Sequence, residues 1–310
     1  MKQRIRFIIN PISGVGKKNT IPQLIESNLD HSKFEFDIVE TEYRKHAKSL
    51  AYQSSREGYD IVCAVGGDGS VHEVGTALVG TNTKLAIIPA GSGNGLARHL
   101  NISLNLKKAI QCINENYSIQ MDTVVVNDKP FLGIGGYGFD ALIAKKFNEH
   151  SARGFASYIK LVCKEYFSFT PKKIKFEMDG ETKNVSAFLF TIANASEFGN
   201  GFVVSPNSSV TDGQLELFIL RPFSLLSAPS LAYRFFTKTA HRSRFTEVLP
   251  FKKIRIYLKD KVAHYDGEPF DVRDELNVEV VPKSLHILVG KNNREYVYQR
   301  RYRNDFRDFI

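Results

Sequence analysis

Residues 60–73 combine a short apolar run, a glycine-rich turn and the start of a helical pattern. The run Ile61 to Val65 is typical of a parallel strand that is buried on both faces. The glycines that follow allow a sharp turn and a close approach to a ligand. The helix predicted over residues 70–79 would then turn its N-terminal N–H groups toward an anion. The stretch therefore predicts a phosphate-binding site.

Asp68 lies in the middle of this turn, where N–H groups would otherwise favour an anion. A carboxylate in such a place makes sense if it holds a Mg²⁺ ion that accompanies a nucleoside triphosphate. The alternative is a tight turn in which Asp68 is only the N-cap of the following helix.

Two further glycine-rich turns follow predicted strands. Residues 10–18 come after a strand over 4–9. Ser13, Gly14 and the following lysines offer hydroxyl, amide and ammonium groups to phosphates. The Walker A spacing is absent. Residues 89–95 come after a buried strand over 84–88. Each turn alone is weak, but three of them at one sheet edge favour a ligand site.

The elements that position these turns alternate between strands and helices. Besides the segments above, we predict a strand over 34–39 and helices over 46–57, 96–100 and 104–114. Such alternation gives βαβ units and a parallel sheet, whose ligands bind beyond the carboxyl ends of the strands. Residues 1–121 therefore read as a Rossmann-like parallel α/β nucleotide domain.

Residues 122–290 have a different sequence pattern, with short strand candidates and few regular helices. The candidates are 123–126, 131–134, 173–178, 187–192, 215–220, 254–258, 277–281 and 286–289. They predict an antiparallel β-sandwich-like second domain, so the fold class is α/β plus all-β. Helical insertions are expected over 140–169, broken near Gly154, and over 224–239. Residues 291–310 form a basic tail, and its return to the first domain is left open.

Composition bounds the class of protein. The chain has 310 residues, of which 43% are hydrophobic and 24% charged, a balance typical of a globular protein with two domains. Three widely spaced cysteines indicate neither disulfides nor zinc. We find neither a membrane-spanning apolar run nor a signal peptide, so we expect a cytoplasmic protein. The net charge of +9 favours an anionic partner but does not choose among nucleic acid, nucleotide and acidic membrane.

Nearly the whole chain resembles the diacylglycerol kinase catalytic-domain superfamily of lipid kinases, which includes sphingosine and ceramide kinases. The motifs that carry the resemblance are, in chain order, Asn10 to Gly14, Gly66 to Ser70 with His72 to Val74, Pro89 to Asn94, Gly136 to Asp140, Asp212 to Leu215, and Asp266 to Glu268. Ser70 stands where many relatives carry threonine, which keeps the hydroxyl group.

The resemblance implies an ATP- and Mg²⁺-dependent kinase with ATP in the cleft between its domains, which transfers the γ-phosphoryl group to a lipid hydroxyl. Its catalytic residues would be Glu268, as general base, and Asp68. A metal would bind beside the cleft in the loop of Asp212, through carbonyls near Ser209 and Gln214. The implied nucleotide-binding residues are Asn10, Ser13, Gly14, Thr41, Gly66, Gly67, Asp68, Gly69, Ser70, Val71, His72, Glu73, Gly91, Ser92 and Asn94.

Several of these residues have simpler interpretations. The Asp-Gly pairs that begin at Asp212 and Asp266 are turn signals between strands. Thr41 is equally consistent with a hydroxyl at the end of a strand, and His72 with a position on a helix face.

Other functions stay open at this point. A soluble-substrate kinase of the NAD kinase type shares the Gly-Gly-Asp-Gly turn, and a non-catalytic nucleotide or lipid sensor would keep the fold. Residues 133–138 also satisfy the dinucleotide fingerprint G-x-G-x-x-G, but the segment after them does not complete the expected βαβ unit.

The favoured acceptor is a neutral lipid of the diacylglycerol type, with a sphingoid base or ceramide as the alternative. A cationic amino alcohol requires a carboxylate, and Gly138 to Gly154, the stretch that the resemblance assigns to the lipid pocket, contains only Asp140 and Glu149 as acids. Against this, the form of the loop Pro89 to Asn94 is familiar from sphingosine and ceramide kinases.

Residues 231–245 mix apolar and basic side chains in a way that suits an anionic membrane surface. Leu231, Tyr233, Phe235 and Phe236 alternate there with arginines and a lysine. A helix buried against the core is the equal alternative, and the basic tail is a second candidate contact. We therefore expect peripheral membrane association, no nucleic-acid partner, and leave homo-oligomer formation open.

Overall fold

The structure, a computed structural model, describes residues 1–12, 20–149, 155–258, 262–272 and 274–295. The chain divides into two compact units, the first comprising Met1–Asp122 and Pro282–Ile310 and the second Thr123–Val281. The chain therefore returns to the first unit at Pro282. The predicted tail begins later, at residue 291.

The first unit alternates strands and helices. Its elements are β1 Gln3–Ile9, α1 Ile21–Asn28, β2 Phe34–Glu40, α2 His46–Arg56, β3 Ile61–Gly66, α3 Asp68–Leu78, β4 Lys84–Pro89, α4 Gly95–His99, α5 Leu106–Glu115 and the beginning of β5 Tyr117–Val126. The end of the long strand β16, Glu275–Val289, also belongs to this unit.

The strands of the first unit form a parallel sheet in the order β2-β1-β3-β4-β16. Strand β3 is central and every one of its residues is buried, as its uninterrupted apolar run requires. In register, Ile5 of β1 lies beside Ile61, and Cys63 lies beside Ala86 of β4. Because the strands are parallel, the loops after β1, β2, β3 and β4 share one edge of the sheet.

The second unit is built mainly from antiparallel strands with helical insertions. Its elements are β6 Lys129–Phe131, β7 Ile134–Gly138, α6 Phe139–Glu149, α7 Phe155–Tyr166, β8 Lys172–Met178, β9 Glu181–Ala187, β10 Leu189–Ala193, β11 Leu215–Leu220, a 3-10 helix Leu225–Ser227, α8 Ala228–Phe236, a 3-10 helix Ala240–Arg242, β12 Thr246–Phe251, β13 Lys253–Tyr257, β14 Val262–Tyr265 and β15 Glu268–Asp271.

These strands make two antiparallel layers. One sheet has the order β12-β11-β10-β7-β14-β15, and the other layer contains β9-β8-β13 and the first part of β16. Alternate residues of β10 serve the two faces: Phe190 and Ile192 belong to the core that also contains Phe176 of β8, whereas Leu189 packs with a second cluster that includes Leu231 of α8.

The predicted fold class is confirmed: a parallel α/β part precedes an antiparallel β-sandwich. The strand predicted over 131–134 is wrong in its extent, because Lys129–Phe131 and Ile134–Gly138 are two separate strands. Helix α1 and the polar strand β9 were not predicted. None of the helices in the described ranges is long and apolar enough to cross a membrane.

Candidate active site

The loops at the carboxyl edge of the first unit are tied to one another by hydrogen bonds. Asn10, directly after β1, donates its Nδ2 to Ser70 Oγ in α3 (3.4 Å), and its backbone N–H donates to Val65 O of β3 (3.1 Å). Thr41, directly after β2, donates its backbone N–H to Ile9 O (2.9 Å). The predicted residues of three strands therefore meet at one edge.

Asp68 joins the second glycine loop to the third. Its Oδ2 accepts the backbone N–H of Asn94 (2.8 Å) and its Oδ1 accepts that of Gly95 (2.7 Å), at the start of α4. The N-cap of α3 is Gly67, without a side-chain cap. The alternative in which Asp68 caps its own helix is therefore wrong, because its carboxylate serves the N-terminus of the neighbouring helix.

The two loops also approach through their glycines. A Cβ added to Gly91 would overlap Gly67 Cα, and a Cβ on Gly67 would lie 3.1 Å from Gly91 Cα. The third loop is stiffened by Asn94, whose left-handed backbone (φ 56°) lets its Oδ1 accept Gly91 N–H (3.0 Å) while its Nδ2 donates to Gly91 O (2.7 Å). Larger side chains at either glycine would separate the loops.

The remaining predicted nucleotide residues lie around this junction. Gly66 ends β3; Gly69, Ser70, Val71, His72 and Glu73 are in the first turns of α3; Ser92 is exposed in the loop before α4. The Glu73 carboxylate accepts Lys45 N–H (3.0 Å) and so fixes the loop after β2. Ser13 and Gly14 lie outside the described residues.

The last described residues support α4 from its far end. Asn293 is buried and donates its Nδ2 to Leu100 O (2.6 Å). Burial lowers the pKa of His99 to about 3, and the guanidinium of Arg294 contributes to the decrease. The imidazole of His99 is therefore neutral and acts as part of the core.

Glu268 follows a tight hairpin turn in the second unit. Asp266 (φ 48°) and Gly267 (φ 81°) connect β14 to β15, and positive φ at both central residues defines a type I′ turn. The Asp266 carboxylate accepts three backbone N–H groups, from Leu132 (2.9 Å), Gly133 (2.8 Å) and Ile134 (3.2 Å). The turn predicted from Asp-Gly is thus present, and it fixes the backbone that leads into Glu268.

Glu268 itself is partly buried, opposite Tyr265 in the register of the hairpin. Burial raises the pKa of the Tyr265 phenol, and the carboxylates of Glu268 and Asp266 raise it further. Tyr265 packs against Phe270, with ring centroids 4.7 Å apart. The Glu268 carboxylate therefore lies close to the Tyr265 phenol.

A buried polar cluster extends across the three neighbouring strands β10, β7 and β14. Thr191 of β10, Gly136 of β7 and His264 of β14 are in register, and the Asp140 carboxylate of α6 lies over Gly136. Its Oδ2 accepts Thr191 Oγ1–H (3.0 Å) and is 3.2 Å from His264 Nε2. Gly136 is required because a Cβ there would overlap the carboxylate. From the sequence, Gly136 and Asp140 were predicted only as parts of one motif, without their partners Thr191 and His264. The available signal was the spacing G-x-x-x-D at the junction of a strand and a helix.

The predicted metal residues lie in the loop before β11. Asp212 Oδ1 accepts Gln214 N–H (3.0 Å), and Ser209 Oγ is 3.1 Å from Thr211 Oγ1. Among the described residues, no group of three or more His, Cys, Asp or Glu side chains is arranged to hold a metal. A cation in this loop would therefore depend on Asp212 together with carbonyl and hydroxyl oxygens, a donor set that fits Mg²⁺ or Ca²⁺ and not zinc.

Comparisons with known proteins place both parts of the chain among lipid kinases. The profile of the diacylglycerol kinase catalytic domain matches residues 4–126, and that of the YegS C-terminal NAD kinase beta sandwich-like domain matches residues 133–289. A diacylglycerol kinase of Staphylococcus saprophyticus is 29% identical over 235 residues, 73% of this chain and 75% of that protein. An uncharacterized protein of Synechocystis is 29% identical over 306 residues, 93% of this chain and 70% of that protein.

A crystal structure of a diacylglycerol kinase from Bacillus anthracis has a TM-score of 0.71 and 18% identity, and covers 93% of this chain and 97% of its own. At this identity the likeness concerns the fold. The two profiles span both units, so the chain belongs to the diacylglycerol kinase and YegS-like family of lipid kinases, which phosphorylate an alcohol group. The resemblance drawn from the motifs is thereby confirmed, and membership of a kinase family implies the use of ATP.

Proposed function

We propose that this chain transfers the γ-phosphoryl group of ATP to the hydroxyl of a membrane lipid, with diacylglycerol as the favoured acceptor. The observation that carries the proposal is the junction of glycine loops held by Asp68, which assembles backbone N–H groups and the N-terminus of α3 at one sheet edge. A loose phosphoryl-transfer transition state requires mainly such positioning and neutralisation of charge.

In the proposed nucleotide site, Asp68 has two tasks. It orders the loop before α4 through its bonds to Asn94 and Gly95, and it supplies carboxylate oxygens, the ligand type that Mg²⁺ prefers. Asp68 would therefore hold a Mg²⁺ ion, which, when bound, neutralises phosphate charge during transfer. Gly67 and Gly91 would let the two loops stay in contact at the edge where the phosphates are proposed to bind.

In the proposed acceptor site, Glu268 removes the proton. The acceptor hydroxyl oxygen bonds to the γ-phosphorus, its proton passes to the Glu268 carboxylate, and the bond to the β,γ-bridging oxygen breaks to release ADP. The hairpin supports this role because Asp266 anchors the backbone just before Glu268 to three amides. A general base must lie within hydrogen-bond reach of the proton that it removes, and a fixed backbone serves this requirement.

The state of Asp140 favours a neutral acceptor. Its side chain is buried and engaged with Thr191 and His264, so this carboxylate is not available to an ammonium group. A sphingoid base would therefore lack that partner. The form of the loop Pro89 to Asn94 keeps a sphingoid base or ceramide as the second candidate.

We also include peripheral association with an anionic membrane in the proposal, since the acceptor is a membrane lipid and the chain carries a net charge of +9. Because ATP is the donor, the reaction would take place on the cytoplasmic side. The Asp212 loop is the proposed site of a second, structural cation.

The test is kcat/KM for diacylglycerol, sphingosine and ceramide presented in the same mixed micelles, with NAD as a soluble acceptor in a parallel assay. We expect diacylglycerol to be preferred. A preference for sphingosine of more than about tenfold, about 1.4 kcal/mol of transition-state stabilisation, would overturn the choice of acceptor. Phosphorylation of NAD alone would overturn the assignment to lipids.

A further inference from the structure

The helical segment Leu225–Phe236 carries two apolar stripes, and only one of them is buried. Leu231 and Phe235 point into the core, where the Phe235 ring stacks on Phe202 with centroids 4.1 Å apart. On the outside, Leu226 is 94% exposed and Tyr233 is 70% exposed. The part of the sequence prediction that assigned Leu231 and Phe235 to a membrane-facing surface is therefore wrong.

The exposed residues form one continuous face. The 3-10 helix Leu225–Ser227 leads directly into α8, and Leu226, Pro229, Tyr233 and Phe236 follow one another at steps of three, four and three residues. Such steps place side chains on one side of a helix. Leu225, 53% exposed, and Phe236, 46% exposed, extend the face at its two ends. We call Leu225, Leu226, Tyr233 and Phe236 the α8 edge.

Single exposed apolar residues are ordinary on protein surfaces, but a contiguous group is not. Elsewhere in the described chain the large exposed apolar side chains are separate in sequence, for example Tyr52, Leu104 and Phe167. The α8 edge places four of them within twelve consecutive residues, on a helix whose other face already fills the core.

The charged residues of the segment that carries the edge are of one sign. Residues 221–245 contain no Asp or Glu and five cationic residues, Arg221, Arg234, Lys238, Arg242 and Arg244. Arg221 pairs with Glu247 (2.7 Å). For the other four, the described ranges show no ion pair with an acid. Apolar side chains flanked by unpaired cations fit an anionic lipid surface, whereas a protein partner would have to supply matching carboxylates.

We propose that the α8 edge inserts into the headgroup region of an anionic membrane, with Leu225 and Leu226 entering the acyl boundary and the neighbouring arginines and lysine contacting lipid phosphates. The inference deepens the proposed function, on which it rests for the membrane location of the acceptor. It assigns membrane attachment to four exposed side chains that the reaction itself does not use.

Sedimentation with vesicles tests the insertion directly. The probes are vesicles of phosphatidylcholine with phosphatidylglycerol, and of phosphatidylcholine alone, without ATP. Leu225→Ser with Leu226→Ser should lower the affinity for the anionic vesicles by about tenfold or more, given the transfer free energy of a leucine side chain. Arg234→Gln with Lys238→Gln should weaken binding at low salt and reduce its salt dependence. Tyr52→Ser, a change at another exposed apolar residue, is the matched control and should bind as the wild type does.

Turnover of a short-chain diacylglycerol below its micellar concentration separates this inference from the proposed function. The edge variants should phosphorylate this dispersed acceptor at the wild-type rate while losing vesicle binding. Unchanged vesicle binding by the Leu225/Leu226 variant, or a wild type that ignores anionic vesicles, would overturn the inference. The inference would also be overturned if the wild type were a dimer without vesicles and the Leu225/Leu226 variant a monomer, because the edge would then be a contact between two copies of the chain. Failure of the wild type to phosphorylate any lipid would instead contradict the proposed function.

Discussion

Gly136 shows how a single missing side chain makes room for a buried polar cluster. The carboxylate of Asp140 occupies the space above Gly136, between Thr191 and His264 on the neighbouring strands. A glycine in the middle of a buried strand normally weakens it, so its presence here reflects the close approach of the carboxylate.

We expect Gly136→Ala to destabilise the second unit by about 3 kcal/mol, because the new methyl group forces the buried carboxylate from its partners. Chemical denaturation monitored by circular dichroism measures the change. The control is a double-mutant cycle with Asp140→Ala: removal of the carboxylate opens space for the methyl group, so the double variant should lose less than the sum of the single losses. Strictly additive losses would show that the two positions do not compete for the same space.

The Asp-Gly-Glu turn illustrates what the sequence can and cannot predict at this scale. The pair Asp266-Gly267 predicted a turn, and the backbone dihedrals agree. The three amides bound by Asp266 come from residues more than a hundred positions away in the chain, so only the folded structure reveals them. The same holds for His264 and Asp140, since local pattern carries no information on contacts at long sequence separation.

At the scale of elements, the junction between α3 and α4 depends on one carboxylate. Asp68 begins α3 and supplies the acceptors for two N–H groups at the start of α4, a helix of five residues that has little stability of its own. Loss of this bridge should therefore reduce the order of the loop before α4.

Asp68→Asn should increase the mobility of that loop. The backbone N–H groups of Asn94 and Gly95 are both donors, and the Asn amide offers them only one acceptor oxygen. Bonds to a charged acceptor are worth about 1.5–3 kcal/mol, so amide exchange at Asn94 and Gly95 should accelerate about tenfold to a hundredfold, and KM for ATP should rise. Hydrogen exchange read by NMR measures the first effect. Asp60→Asn, which removes the charge from the acceptor of Arg4 N–H at the opposite end of β3, is the control and should leave both quantities unchanged. Unchanged protection at Asn94 in the Asp68 variant would contradict the bridging role.

Elements were predictable where burial is uniform. Strands β3 and β4 were evident because a parallel strand covered on both faces must be apolar throughout. Strand β9 was not evident from the sequence, since it lies at a sheet edge. Its other residues are polar, and only Val185 and Ala187 are buried. Strand β7 was predicted only at its start, by the segment 131–134, because glycines are unusual inside a strand. The reason for Gly136, the room needed by Asp140, lies outside the segment.

At the scale of the whole molecule, the residues implied in nucleotide binding lie in the first unit, and Glu268 lies in the second. Strands β5 and β16 each continue from one unit into the other along the chain. The two-domain organisation followed from chain length and from the change in pattern after residue 122. The return at Pro282 was not predictable, because the halves of β16 read as two separate strands.

The central claim is that Glu268 accepts the proton of the lipid hydroxyl while the first unit binds the nucleotide. The most direct measurement is transfer of a labelled γ-phosphoryl group to diacylglycerol in mixed micelles by the wild type and by Glu268→Gln, together with calorimetric binding of ATP. Glu279→Gln, an exposed residue paired with Lys253 (3.1 Å), is the control and should behave as the wild type does. We predict that Glu268→Gln binds ATP normally and lowers kcat about 10²- to 10⁴-fold. Activity of Glu268→Gln within a few-fold of the wild type, or a parallel loss of ATP binding, would contradict the account.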